Sequence, residues 1–161
     1  MVALAAASVI LVQFPATETP AKVDAIVVLG AMDAYNMAEA SRLVSAGVSD
    51  QLVLSVPYGS LGTICQQPPK GLNVTCFVPD PSTTRGEAQE IHRLAEERGW
   101  NSIAVVTWTT HITRSRMLIE RCFGGDVDMV DYPDDMTLGD RLYEQLYQSA
   151  SFVKALTQPG C

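Results

Sequence analysis

Basic residues are scarce in this chain. Lysine and arginine number 11 against 18 acidic residues, which leaves a net charge of −7. Nucleic-acid affinity rests on clustered Lys and Arg, and no such cluster occurs, which disfavours a nucleic-acid partner. Only 18% of residues are charged while 47% are apolar. That balance fits a globular domain and excludes a disordered one. Histidine is rarer still, with His92 and His111 alone.

Long hydrophobic runs are also missing. The most apolar stretch, at the N-terminus, is roughly 13 residues long, short of the ~20 that a spanning helix needs. It has no basic region like that of a signal peptide. Two readings stay open: a membrane anchor or signal segment trimmed at its front, or an ordinary buried helix. The Pro-, Thr- and Ala-containing stretch 15–22 reads as a linker and favours the anchor. The division expected is residues 1–14 as the apolar segment, 15–22 as linker and 23–161 as a single domain.

Several signatures are absent. The first strand ends Gly30-Ala31-Met32-Asp33, which is not the glycine pattern of dinucleotide binding. There is no Walker A loop, and no G-x-S-x-G elbow for a serine triad. The four cysteines, Cys65, Cys76, Cys122 and Cys161, lack zinc-ligand spacing. Cys65 and Cys76 bracket a Pro- and Gly-containing loop, so a disulfide is expected there, with Cys122–Cys161 as the second pair. A disulfide closing the first loop removes about 3 kcal/mol of unfolded-state freedom. The alternative is four inert thiols in a reducing cytoplasm. The even cysteine count and the apolar N-terminus favour an oxidising compartment.

What is present is a regular alternation. Strands are predicted at Asp24–Gly30, Gln51–Val56, Val74–Val78, Ser102–Thr107 and Val127–Asp131, the last nearer an edge. Helices are predicted at Ala34–Ala46, Gly86–Arg98, His111–Phe123 and Leu138–Leu156. The pattern specifies an α/β fold, a Rossmann-like three-layer sandwich with a mainly parallel sheet of about five strands.

The fourth strand carries the strongest functional signal. Its apolar run ends in Thr107-Trp108-Thr109-Thr110 and opens into a helix beginning His111-Ile112-Thr113-Arg114. Residues i and i+3 share a helix face, so His111 and Arg114 should point together at the carboxyl edge of the sheet, where such folds bind ligands. A second polar stretch, Ser82-Thr83-Thr84-Arg85-Gly86-Glu87, precedes the second of these helices. It reads as a capping box, Thr84 capping and Glu87 reaching back. It also reads as an anion cradle of hydroxyls, helix N–H groups and a guanidinium. Asp33 can cap its own helix, and His92 reads as a surface residue.

The order D-A-I-V-V-L-G, S-T-T-R-G-E-A and V-V-T-W-T-T-H-I-T-R resembles the bacterial SanA/ElyC/YdcF-like family over roughly Val23 to Val130. Ser82, Thr84 and Ala88 fit its S-x-N-T-x-x-N-A motif, with Thr83 and Glu87 in place of the asparagines. Thr107, His111 and Arg114 fit T-S-x-x-H-x-x-R-A, with Trp108 for Ser and Ser115 for Ala. The chain departs where the family has a second glycine (here Ala31), an early arginine (here Tyr35-Asn36) and Ser-Gly-Gly (here Ser55-Val56-Pro57). The resemblance implies a Rossmann-like fold, membrane anchoring and a role in envelope barrier function or biogenesis; one branch is associated with nucleotide-type ligands. It names no cofactor for this chain.

Taken together, the candidate catalytic residues are His111 and Glu87. The candidate ligand-binding residues are Gly30, Asp33, Ser55, Ser82, Thr84, Arg85, Thr107, Thr110 and Arg114. Thr84, Arg85, Glu87, His111 and Arg114 are expected to share one cleft. The function expected is a membrane-tethered extracytoplasmic domain that binds a small anionic ligand, a phosphorylated lipid carrier or sugar. The rivals are a non-enzymatic scaffold of cell-wall assembly and a cytoplasmic domain binding a nucleotide or adenosylmethionine.

Overall fold

The most apolar runs of the chain become its central strands. In the computed structural model, residues 2–30, 32–57, 62–132, 135–158 and 160–161 are described, with side chains from residue 6 onward. Ala31, where the chain departs from the family glycine, lies outside them, as does Met1. β1 (Ala25–Val28) is buried at every position, and β4 (Ser102–Trp108) at all but its ends. Flanking them are β2 (Gln51–Ser55), β3 (Asn73–Phe77) and β5 (Asp126–Tyr132). The order is β3-β2-β1-β4-β5, and every pairing is parallel. The five-stranded α/β reading is correct, and β5 lies at an edge as expected.

Successive residues of a strand face opposite sides of the sheet, so the central strands feed two cores. Val27, Leu29, Val53 and Val105 pack under α4 (Thr84–Arg98) and α5 (Ile112–Cys122). Ile26, Val28, Leu54 and Val106 pack under α2 (Ala34–Ser45). Each fully buried Ile or Leu here stabilises the fold by roughly 1.5–3 kcal/mol. Helix periodicity places Ala88, Ile91, Leu94 and Ala95 of α4 on the inner face, and all are buried; of Met37, Ala40, Leu43 and Val44 in α2, Ala40 and Leu43 are buried and the other two partly exposed.

Local chemistry sets the helix ends. Asp33 caps α2 in a box closed by Asn36. α4 starts one residue earlier than the capping-box reading requires. Its cap is Thr83, whose hydroxyl accepts the Gly86 N–H at 3.3 Å, and this frees both Thr84 and Glu87 for other partners. Gly86 is required by its surroundings: an added Cβ would sit 1.9 Å from the Pro81 carbonyl oxygen. The α5 reading is likewise shifted. Thr109–His111 form a 3₁₀ turn, and the α-helix begins at Ile112. The stretch read as loop before β3 contains the short helix α3 (Thr63–Gln66).

The termini close on the sheet's last strand and last helix. α1 (Val2–Gln13) lies against α6 (Leu138–Leu156), where Ser8 and Ser149 hydroxyls meet at 2.8 Å and the Gln13 amide donates to Gln145 at 3.1 Å. The segment 15–22 runs along the outer edge of β5. Glu18 donates its N–H to the Met129 carbonyl at 2.8 Å, and its carboxylate accepts the Met129 N–H at 2.7 Å and an Arg116 N–H at 2.6 Å. These bonds occupy groups that an edge strand otherwise leaves open. Cys65–Cys76 and Cys122–Cys161 are both disulfide-bonded. The second closes a longer loop and removes about 4 kcal/mol of unfolded-state freedom.

Candidate functional site

β1, β2 and β3 run to one side of the sheet and β4 and β5 to the other, so the chain direction switches between β1 and β4. Open α/β sheets bind ligands at the carboxyl ends of the strands beside such a switch. There Gly30 follows β1 with φ of +76°, and a Cβ on it would come within 3.2 Å of the Trp108 ring at the end of β4. Only glycine accepts that backbone at low cost while letting the indole approach.

A chain of buried polar groups lies at this point. Thr107, the penultimate residue of β4, meets His111 Nδ1 at 2.9 Å. His111 Nε2 meets the hydroxyl of Thr84, the first residue of α4, at 3.1 Å. That hydroxyl also accepts an N–H of Arg114 at 3.1 Å. Arg114 donates its Nε–H to the side-chain oxygen of Gln148 at 2.8 Å. Gln148 donates to Glu144 at 2.9 Å, and Glu144 also accepts the Thr110 hydroxyl at 3.3 Å. Trp108 stacks on the imidazole with ring centroids 4.3 Å apart.

His111 is 2% exposed. Burial, with the Arg114 charge nearby, holds its pKa well below the usual imidazole value, so the ring is neutral. A neutral imidazole donates at one nitrogen and accepts at the other, and a threonine hydroxyl can serve either need. Burial also lowers the Arg114 pKa, opposed by Tyr147, Glu87 and Glu144.

Glu87 projects from α4 to the end of β1, where its carboxylate accepts the Gly30 N–H at 2.9 Å. Burial pushes its pKa up, while Ser55, the Gly30 N–H and Arg114 oppose the shift. The Ser55 hydroxyl lies close enough to favour the charged form but makes no hydrogen bond of regular geometry. This buried carboxyl beside a guanidinium is a group tuned toward holding a proton, an arrangement common at functional sites.

The structure therefore brings Thr84, Glu87, His111 and Arg114 together, with Gly30, Ser55, Thr107 and Thr110 beside them. Three expected members have other partners. The Arg85 guanidinium leaves the group and donates to the Cys161 carbonyl at 3.0 Å. It sits one residue past Thr84, about 100° around the helix, so it points away when Thr84 points in. Asp33 is occupied by its cap, and the exposed Ser82 hydroxyl donates to the Pro57 carbonyl at 3.2 Å. His92, expected at the surface, is half-buried and lines a hollow with Gly99 and Gly125, next to the starts of β4 and β5.

Gln148 and Glu144 of α6 were not found from the sequence. Their only signal is two polar residues four apart on one face of that helix. Beyond Arg114 and Gln148, a cavity of about 300 Å³ opens between α1 and α6, walled chiefly by apolar side chains such as Leu11, Phe152 and Leu156. Among the described residues, no group of three or more His, Cys, Asp or Glu is placed to hold a metal ion. No family model matches the chain, and neither the curated proteins nor the solved structures compared with it yield a match.

Proposed function

We propose that this protein is an extracytoplasmic, membrane-tethered domain that binds a small anionic ligand, a phosphorylated lipid carrier or sugar, at the carboxyl edge between β1 and β4. One observation carries the reading: Arg114, Glu87, Thr84 and His111, from separate parts of the chain, are joined at the switch point of the sheet. Arg114 supplies the charge that holds the anion, since hydrogen bonds to charged groups are the strong ones. Glu87, tuned toward its protonated form, is the acid–base group if a reaction follows. His111, sealed between two threonines and a tryptophan, positions Thr84 and through it Arg114, rather than carrying protons to solvent.

Two further features support the setting. Paired cysteines favour an oxidising compartment. Exposed Val9, Ile10 and Phe14 on and beside α1 leave apolar surface on the N-terminal segment. α1 spans only 12 residues, and no described helix is long and apolar enough to cross a membrane.

The test is a thermal-shift panel of inorganic phosphate, sugar phosphates and polyprenyl phosphate. A ligand at 100 times its Kd should stabilise the protein by about 2.7 kcal/mol. Arg114→Ala should weaken that ligand by about 1.5–3 kcal/mol, roughly 10- to 150-fold, and Arg85→Ala should leave it unchanged. If Arg114→Ala binds every anion as well as the parent, the anion site is wrong and the scaffold reading replaces it.

A further inference from the structure

α6 turns a largely polar face inward, through Glu144, Gln145 and Gln148, and leaves an apolar face uncovered. Gln148 and Ala155 are buried on the inner side. The outer side exposes Leu142, Tyr143, Leu146, Tyr147 and Val153 along most of the helix, with Leu146 74% exposed. A helix of 19 residues is about 28 Å long, so the stripe is long as well as continuous. Single exposed apolar residues are ordinary, but a contiguous patch of this size marks an interaction surface.

The charges beside the stripe indicate its occupant. Asp140 lies seven residues before Tyr147 and Lys154 seven after it. At 100° per residue these two fall on the same flank, within about 40° of each other. Leu138 and Leu156 stand nine residues either side of Tyr147 and share one direction after five full turns. The face is therefore complementary to itself when reversed. A two-fold axis uses the same patch on both copies. Antiparallel pairing centred on Tyr147 sets Leu138 against Leu156, and Asp140 against Lys154, twice. It also opposes the two helix dipoles. A lipid surface fits less well: amphipathic membrane helices line their polar flanks with Lys and Arg, whereas this flank carries one acid and one base on a chain of net charge −7.

We propose that α6 is a homodimerisation helix: two copies pack their outer α6 faces antiparallel about an axis through Tyr147, with Asp140 of each copy paired to Lys154 of the other.

Sedimentation equilibrium of the full chain should give a mass near twice 17.4 kDa at tens of micromolar. Leu146→Asp, at an exposed position, should give monomer with an unchanged melting curve. Asp140→Lys and Lys154→Glu alone should each set like charges together and weaken the dimer at least about tenfold. Mixed in equal amounts, these two variants should restore it as a heterodimer, because each then meets the opposite charge. Asp140 also closes the α6 cap with Thr137, so Leu146→Asp carries the test if Asp140→Lys does not fold. The proposal is overturned by a monomeric parent, by a Leu146→Asp dimer, or by a mixture of folded variants that stays monomeric. It is overturned equally if Leu146→Asp abolishes flotation with phosphatidylcholine vesicles and leaves the mass unchanged, which would assign the face to lipid.

Discussion

Replacing Thr84 by valine probes the site through stability, with no ligand needed. The two side chains are nearly equal in volume and both β-branched, so the change removes one hydroxyl and little else. That hydroxyl meets His111 Nε2 and accepts from Arg114, each at 3.1 Å. His111 is fully enclosed, so its abandoned ring nitrogen has no water to turn to, at a cost of about 1–2 kcal/mol. Arg114 is less enclosed, and its lost N–H partner can be replaced in part by water, adding about 1 kcal/mol. The expected total is about 2–3 kcal/mol. For a domain of this size that lowers Tm by roughly 5–10 °C. Urea unfolding without reductant should show a lower midpoint and an unchanged slope. Thr109→Val, which removes a hydroxyl bonded to Asp131 on the exposed surface, should cost under about 0.5 kcal/mol. A Thr84→Val loss no larger than that control would refute the reasoning, because the hydroxyl would then not join the histidine to the arginine.

Four other expectations follow from the structure. His111 has a depressed folded pKa, so its contribution is complete above the unfolded value near 6.5 and is lost as pH falls toward the folded one. Stability should drop below pH 6.5 by up to about 1.4 kcal/mol per pH unit, and His111→Gln should flatten that slope in urea titrations. Glu87 acts with the opposite sign, since its raised pKa favours the fold at low pH and that contribution is lost as pH rises through the folded value. Gly86→Ala should cost more than about 3 kcal/mol or prevent folding, because its Cβ would overlap the Pro81 carbonyl; a soluble variant melting like the parent would contradict the packing of that turn. Ser115→Ala should leave stability unchanged or raise it by up to about 1 kcal/mol, since the hydroxyl is fully buried without a partner; a loss above 1 kcal/mol would mean that the hydroxyl is bonded after all.

The sequence by itself determined the strands, the order of the layers and the histidine–arginine pair that follows the fourth strand. Such features depend on neighbours one to four residues apart, and apolar periodicity reports those neighbours directly. It also pointed to the cysteine pair around the loop before β3, because short separation limits the choices. What each polar side chain would meet was decided by tertiary structure. Capping α4 with Thr83 instead of Thr84 turned Thr84 inward to His111, sent Arg85 outward to the C-terminal carbonyl and released Glu87 to the Gly30 N–H. A shift of one residue rotates a helical side chain by about 100°, and capping patterns with two adjacent threonines do not separate those outcomes. Gln148 and Glu144 enter from α6, 34 residues beyond the groups they bond. Only the packing of that helix over the 3₁₀ turn and α5 brings them there, and packing depends on the shape of both apolar faces at once, which no local pattern records.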